Sequence, residues 1–404
     1  MSELPNGWVE TTLEGVMKNV SRRFDFSDKD KVVFVNTGDV LEGNFLHNNY
    51  ISAEGLPGQA KKAIEKGDIL YSEIRPKNKR YALVDFQSKD YVVSTKFMVL
   101  KRNSNVDLNY LYLSLTSHNM LRVFNANAEA RSGTFPQITF DSISDIEINL
   151  PPLDEQKSIA DILVSFDDKI ELLRAQNKTL ETLAQTLFKE WFVKFNFPNA
   201  TGEMINSELG QIPKGWQVGK LEDIVLNIKK SLKKGDDLKG RKYIPIDEMP
   251  MRKLGLDSSK PIGDAQSSLI GFEPGDILFG AMRCYFHRVC FSTIKGVTRA
   301  TAMVLRVKNE LFFEFSLLLI NQNSSVDYAN QNSKGTTMPY AVWQGSFANM
   351  SIIIPSEDIA IKFSNLTSPL LAKIQKNISQ AQILEKTRDA LLPKLMSGNI
   401  RVDT

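Results

Sequence analysis

The chain has 404 residues, 42% of them hydrophobic, with 50 Lys and Arg against 47 Asp and Glu and only two cysteines. That length and apolar content predict two to four ordinary folded domains and exclude wholesale disorder. No apolar run reaches the ~18 residues of a membrane span, Met1-Ser2-Glu3-Leu4-Pro5 lacks a signal-peptide layout, and Cys284 and Cys290 cannot build a disulfide framework; a cytoplasmic protein with no membrane partner is expected.

The net charge of +3 projects no strong overall field toward nucleic acid. Its distribution is uneven: residues 1–205 carry 24 Lys and Arg against 28 Asp and Glu, and residues 206–404 carry 26 against 19, a balance of −4 against +7. Basic residues cluster locally, in Arg75-Pro76-Lys77-Asn78-Lys79-Arg80, at Lys229-Lys230 and Lys233-Lys234, and between Lys239 and Lys242. Solvated loops are the default explanation of such clusters.

In chain order, short apolar runs broken by Gly, Asn and Asp predict strands at Lys31 to Val35, Tyr91 to Val93 and Phe97 to Leu100, with a helix from Leu108 to Phe124. After Leu150-Pro151-Pro152 the character changes to one long helix, expected from Asp154 to Phe192, about 58 Å at 1.5 Å per residue. Asp154 or Ser158 is its candidate cap. Ile159, Phe166, Leu173, Leu180 and Leu187 fall seven apart, and Leu163, Ile170, Asn177, Ala184 and Trp191 interleave with them, an unbroken heptad seam that calls for a partner helix.

The second half repeats the first. Leu4-Pro5-Asn6-Gly7-Trp8 returns as Ile212-Pro213-Lys214-Gly215-Trp216, and Gly67-Asp68-Ile69-Leu70 as Gly275-Asp276-Ile277-Leu278, both 208 residues later. Asp39 and Arg75 find Asp247 and Arg283 at the same offset, and Gly133-Thr134 and Pro136 find Gly335-Thr336 and Pro339 at offsets of 202 and 203. Strands are predicted at Arg241 to Ile246 and Ala302 to Leu305. After Ile354-Pro355 comes the second seam, Phe363, Leu370, Asn377, Leu384 and Leu391 with Thr367, Ile374, Ala381, Arg388 and Leu395 between them. Asn177 facing Asn377 would penalise wrong registers, because a buried amide needs a polar partner. Gly202 and Gly398 follow the two helices where the chain must turn. The predicted class is α+β: two pseudo-repeated globular domains joined by two long helices that form an antiparallel coiled coil. Two copies of one device with different filling suit a reader of a two-part target.

Catalytic motifs are sparse. No G-x-x-x-x-G-K-[ST] loop and no G-x-G-x-x-G after a strand support nucleotide chemistry. Asn149-Leu150-Pro151-Pro152 lacks the aromatic of an amino-methyltransferase motif and reads as a helix stop. His47, His118 and His287 have no Ser or Cys arrangement for a triad. Cys284, His287 and Cys290 offer three metal donors where a closed zinc site wants four, and the first copy has no equivalent trio. Asp68, Glu73 and Arg75 are a nuclease-like grouping, but Ala281 replaces Glu73 in the second copy, so a turn entering a strand is the preferred reading. Recognition chemistry remains. Arg75 and Arg283 recur just after a predicted strand, where an arginine fork grips a guanine edge or a phosphate, with a surface ion pair as the competing reading. Arg131-Ser132-Gly133-Thr134 and Ser333-Lys334-Gly335-Thr336 each set a cation and a hydroxyl beside a glycine, with a plain turn as the alternative.

The chain resembles the specificity subunits of type I restriction-modification systems. The resemblance rests on Gly67-Asp68-Ile69-Leu70, Ser132-Gly133-Thr134-x-Pro136, Leu150-Pro151-Pro152-Leu153-x-Glu155-Gln156, Leu187-Phe188-x-x-Trp191-Phe192 and Leu391-Leu392-Pro393-Lys394-Leu395-x-Ser397-Gly398, in that order and spanning nearly the whole chain. The second copy departs from it at Ile354-Pro355-Ser356-Glu357-Asp358 and Gly335-Thr336-Thr337-Met338-Pro339. The resemblance implies target recognition domains at 1–152 and 206–355, each reading one half-site, and conserved helical spacers at 153–205 and 356–404. It implies double-stranded DNA, two DNA adenine methyltransferase (M) subunits and restriction/translocase (R) subunits as partners. S-adenosylmethionine, ATP and Mg would sit on those partners, with no metal, cofactor or catalysis in this chain. DNA contacts are expected from Arg75, Lys77, Lys79, Arg131, Thr134, Arg283, Arg299, Lys334 and Thr336. Subunit and coiled-coil contacts are expected from Ile159, Phe166, Ile170, Leu173, Asn177, Leu180, Leu187, Leu370, Ile374, Asn377, Leu384 and Leu391. The alternatives are a stand-alone metal-dependent nuclease and a coiled-coil scaffold that does not touch DNA.

Overall fold

The computed structural model describes residues 4–131, 135–232, 238–265 and 268–402, without the side chain of Arg131. Contacts divide the chain into two units, Met1–Asp168 with Leu384–Thr404, and Lys169–Ile383. Each unit thus holds one globular part and a stretch of both long helices, α1 (Leu153–Phe188) and α2 (Glu357–Met396).

In the first unit an antiparallel sheet is built from β1 (Met17–Asn19), β2 (Asp68–Ser72), β3 (Tyr81–Leu83) and β4 (Phe97–Arg102), in the order β3-β2-β4-β1. The second unit repeats it with β5 (Val225–Ile228), β6 (Ile277–Gly280), β7 (Val289–Phe291) and β8 (Ala302–Val307), in the order β7-β6-β8-β5. Each unit adds a second sheet with one parallel pair, Lys31–Val35 with Tyr91–Ser94 in the first and Lys242–Tyr243 with Gly296–Arg299 in the second. Each also closes with a ribbon that hands the chain to a long helix, Val9–Thr12 on Glu147–Leu150 and Gln217–Lys220 on Ser351–Ile354. The central strands β2 and β6 are buried on both faces, which is why Ile69-Leu70-Tyr71 and Ile277-Leu278-Phe279 read as continuous apolar runs rather than alternating ones.

The Gly-Asp pair that opens these strands is structural. Asp68 is 1% exposed, accepts from the Glu65 amide at 2.7 Å and is paired with Arg22; Asp276 is fully buried, accepts from the Glu273 amide at 2.7 Å and holds Arg306 through two bonds of 2.7 and 2.8 Å. Burial pushes the Asp68 carboxyl up, against the backbone donor and Arg22, which draw it down. A carboxylate held in this way has its lone pairs occupied by the fold.

Several expectations need correction. The helix predicted from Leu108 to Phe124 is two, Leu108–Thr116 and His118–Arg131, because Ser117 is extended (φ −59°, ψ 149°) and its hydroxyl accepts from the Met120 amide at 3.2 Å. The strand predicted over Arg241 to Ile246 is only Lys242–Tyr243, since Pro245 leads into a 3-10 turn at Ile246–Glu248. Neither Asp154 nor Ser158 caps α1, which starts at Leu153 directly after the prolines; Asp154 instead lies in the first turn, where its charge complements the helix dipole. At the other end α1 continues from Lys189 to Val193 as a π-helical segment.

Within each unit the two helices run antiparallel and touch. In the first, Asp167 pairs with Arg388, and Ile159, Ala160 and Leu163 share a core with Leu391, Leu392 and Leu395. Gly398, left-handed at φ 72°, ends α2 against Pro5 and Trp8, where a Cβ would sit 2.4 Å from the proline ring. In the second unit Leu180, Ala184, Leu187 and Phe188 pack with Ile359, Phe363, Leu370, Leu371 and Ile374. There Asn377 donates to Asn177 Oδ1 at 2.9 Å and Asn177 donates to the Ile374 carbonyl at 3.1 Å. Asn377 is fully buried, and its own Oδ1 has no hydrogen-bond partner among the described residues. A half-satisfied buried amide costs stability wherever it sits, and at a seam it disfavours neighbouring registers.

The Pro-Pro-Leu-x-Glu-Gln run has a packing reason. Glu155 accepts from Trp8 Nε1 at 3.0 Å and from Arg401 through bonds of 2.6 and 2.9 Å, and Gln156 accepts from the Asp107 amide at 2.8 Å while donating to Pro151 at 2.8 Å. Both side chains are buried. In the second unit their places fall to Ile359 and Ala360, also buried, and Trp216 stacks on Phe197 at 5.1 Å instead of meeting a carboxylate. The departure of the second copy from the signature is therefore an exchange of a polar anchor for an aromatic one.

Glu181 of α1 anchors the second globular part by accepting from the Leu254 amide at 2.8 Å, and Gly255 lies against Ile374 and Ile378, leaving no room for a Cβ. Burial raises the Glu181 carboxyl above its ordinary 4.5, opposed by the Leu254 and Gly255 amides. A raised carboxyl contributes stability that is complete below the unfolded value and is lost as pH rises through the folded one. Glu181→Gln retains an acceptor oxygen and lacks the charge. Denaturant midpoints of the two chains are expected to diverge in the variant's favour as pH rises above that ordinary value, whereas Glu181→Ala is expected to lose about 1–3 kcal/mol by orphaning the Leu254 amide.

Candidate nucleic-acid interface

Both arginines singled out by the repeat adopt the same strained conformation. Arg75 (φ 47°, ψ 75°) and Arg283 (φ 52°, ψ 60°) are left-handed, each follows its sheet's central strand, and each precedes a 3-10 turn, Pro76–Asn78 or Cys284–Phe286. The turns end on a second left-handed residue, Lys79 in one and His287 in the other. For a non-glycine residue this conformation costs of order 1–3 kcal/mol and persists only where the surroundings impose it.

The imposing contact is the second repeated motif. The Arg75 amide donates to the Pro136 carbonyl at 3.0 Å, and the Arg283 amide donates to the Pro339 carbonyl at 2.8 Å. Antiparallel bridges continue the pairing at Ile74 with Gln137 and at Met282 with Tyr340, followed by Ile138 to Glu73 at 2.9 Å and Ala341 to Ala281 at 2.8 Å. Motifs far apart in each copy thus form one short antiparallel junction, with the arginine side chain exposed on it. Around Arg283 the junction is reinforced by Tyr340, whose hydroxyl donates to the Ala300 carbonyl at 2.7 Å and whose backbone exchanges two 2.9 Å bonds with Lys334. Burial pushes the Tyr340 hydroxyl up, which keeps it a donor.

Of the expected DNA contacts, Arg75, Lys77 and Lys79 share the first turn and are exposed, with Lys79 paired to Glu42 at 2.7 Å. Arg283, Lys334 and Thr336 are exposed at the second junction, and Arg299 is exposed at the end of Gly296–Arg299, one residue before Ala300. Thr134 and the Arg131 side chain lie outside the described residues, as do Ser132, Gly133, Lys233 and Lys234. Of the seam residues, Ile159, Ile170, Leu173, Ile374 and Asn377 are buried, and Phe166, Asn177, Leu180, Leu187, Leu370, Leu384 and Leu391 are partly so.

The candidate metal donors are occupied by the fold. Cys284 Sγ donates to the Ala281 carbonyl at 3.2 Å, His287 Nε2 lies 2.9 Å from the Asn321 carbonyl, and Cys290 is fully enclosed. Burial raises both thiols and lowers the histidine, disfavouring every charged form. Among the described residues no group of three or more His, Cys, Asp or Glu is placed to hold a metal ion, and no helix is long and apolar enough to cross a membrane. Sequence reasoning missed Pro136 and Pro339 as partners of the arginines; their recurrence beside Gly-Thr was the available signal.

Fold and junction together define a duplicated α+β module, each copy carrying an antiparallel stretch of the two long helices. Residues 5–182 match the family model described as type I restriction modification DNA specificity domain. The chain is 34% identical to the type I restriction enzyme HindI specificity subunit of Haemophilus influenzae, over 97% of this chain and 99% of that one, and 32% identical to the MjaIX specificity subunit of Methanocaldococcus jannaschii, over 73% and 69%. Its fold is similar to the crystal structure of the type I restriction-modification S subunit from M. genitalium, with a TM-score of 0.59 at 14% identity, covering 100% and 98% of the two chains. The chain belongs to the family of type I restriction enzyme specificity subunits.

Proposed function

We propose that this chain reads a bipartite sequence in double-stranded DNA, one half-site through each recognition domain, 1–152 and 206–355. The helical spacers, 153–205 and 356–404, dock two adenine methyltransferase subunits and, through them, the restriction subunits. Bond-breaking and S-adenosylmethionine, ATP and Mg belong to those partners. The observation that carries this is the repeated junction: a left-handed arginine fixed by backbone on a proline carbonyl, exposed, at the same place in both units. An arginine with its backbone already fixed loses less freedom when its fork meets a guanine edge or a phosphate. Lys77, Lys79, Lys334 and Thr336 flank these arginines, and Arg299 adjoins the Ala300 carbonyl that Tyr340 holds, all suited to phosphate contacts that fix register.

The test is to map methylated adenines in a host carrying the methyltransferase partner with and without this chain. A gapped, two-part methylated sequence that appears only with the chain is expected. Cleavage of DNA by the purified chain with magnesium alone would favour the nuclease alternative, and unchanged methylation with and without the chain would favour the scaffold.

A further inference from the structure

Next to each junction stands a large apolar side chain open to solvent. Phe135 and Met338 immediately precede Pro136 and Pro339, the prolines whose carbonyls hold the two arginine amides, and they are 63% and 55% exposed. A residue before proline is confined to extended conformations, and the following carbonyl is pinned by the arginine, so each side chain is carried on a stiff segment. In the second unit the segment is tightened further by Gly335, left-handed at φ 87° with the Met338 carbonyl 3.2 Å from where its Cβ would stand. The repeat keeps the position and changes the residue, a flat ring in one copy and a flexible thioether in the other. Large apolar side chains exposed at one equivalent place in two diverged copies suit a contact with a partner better than either unit's own core.

We infer that Phe135 and Met338 are base-contacting, specificity-determining residues, each packing on the apolar edges of DNA bases in the half-site read by its neighbouring arginine. This rests on the DNA-reading function proposed above. Thymine methyl groups and base C–H edges are the apolar features of a duplex groove, and an arginine beside an apolar residue reads two adjacent positions by two different chemistries. Different apolar shapes at the same place contribute to the two units reading different half-sites.

The experiment uses the full chain with its methyltransferase partner and maps methylated sequences for Phe135→Ala, Met338→Ala and the exchanges Phe135→Met and Met338→Phe. Discrimination is expected to fall about tenfold at one or two base pairs, the scale of a single mismatch, and only in the half-site that the neighbouring arginine variant also relaxes. The exchanges are expected to shift the preferred base there without loss of methylation. Because both side chains are exposed, the melting temperature is expected to stay within about 3 °C of the parent. Unchanged half-sites in the alanine variants overturn the inference, as does a lowered melting temperature with uniform loss of methylation, which marks a packing role. Failure of the DNA-reading proposal itself is distinct: there the parent chain directs no sequence-specific methylation at all.

Discussion

Arg75→Ala is expected to relax one half of the methylated sequence and leave the other half intact, and Arg283→Ala to do the converse. A two-pronged arginine contact with a guanine is worth about 1–3 kcal/mol of discrimination, so the affected position should lose on the order of 10–100-fold selectivity. The alternative partner, a phosphate, gives a different signature: weaker methylation at all sequences and a salt dependence shallower by about one charge. Both outcomes read out as sequence logos and salt titrations from the same two variants. The backbone geometry adds a control. Because the left-handed turn is held by the amide of the arginine and not by its side chain, Ala retains the bond to Pro136 or Pro339. Gly at the same position relieves the left-handed strain, so Arg75→Gly is expected to match or exceed Arg75→Ala in stability while sharing its loss of selectivity. A variant that instead retained the parent sequence logo would remove Arg75 from the readout.

What the sequence made legible was whatever repeats at short range. The heptad spacing marked both helices, and the residues assigned to the seam are buried or partly buried, because a seven-residue period leaves one face for a partner whatever the fold around it. The duplicated Gly-Asp and Arg anchors placed equivalent strands, and the two central sheets share one strand order. What stayed hidden was long-range pairing. Nothing local in Arg75 announces Pro136, and the left-handed backbone at Arg75 and Arg283 is imposed by long-range contact on a residue type with no preference for it. The burial of Glu155, Gln156 and Glu181 was hidden for a related reason. Polar residues on amphipathic helices ordinarily face solvent, yet each of these is buried because a backbone amide or an indole from the globular part needs an acceptor. The break at Ser117 shows the same limit at shorter range, where a hydroxyl able to cap a new helix outweighed continued apolar periodicity.

Lengthening both helices by seven residues, after Asp168 in α1 and after Ile383 in α2, is expected to add about three base pairs to the unread spacer of the methylated sequence. Seven residues rise about 10.5 Å, and a base pair rises about 3.4 Å. The insertion points are the boundaries between the two contact units, so the anchors inside each unit, Glu155 with Trp8 and Arg401 in the first and Glu181 with Leu254 in the second, are left alone. A heptad also restores the seam after nearly two full turns, which keeps Asn177 opposite Asn377 and Asp167 opposite Arg388. Both half-site sequences are therefore expected to survive while their separation changes, a combination that neither a folding defect nor a loss of base contacts produces. A four-residue insertion into α1 alone, between Asn177 and Glu181, removes that protection: it shifts the Asn177 pair by a turn relative to the Glu181 anchor and is expected to lower methylation overall. If the seven-residue variant methylates the parent sequence with its spacer unchanged, the helices do not set the distance between half-sites, and the measuring role passes to the partner subunits.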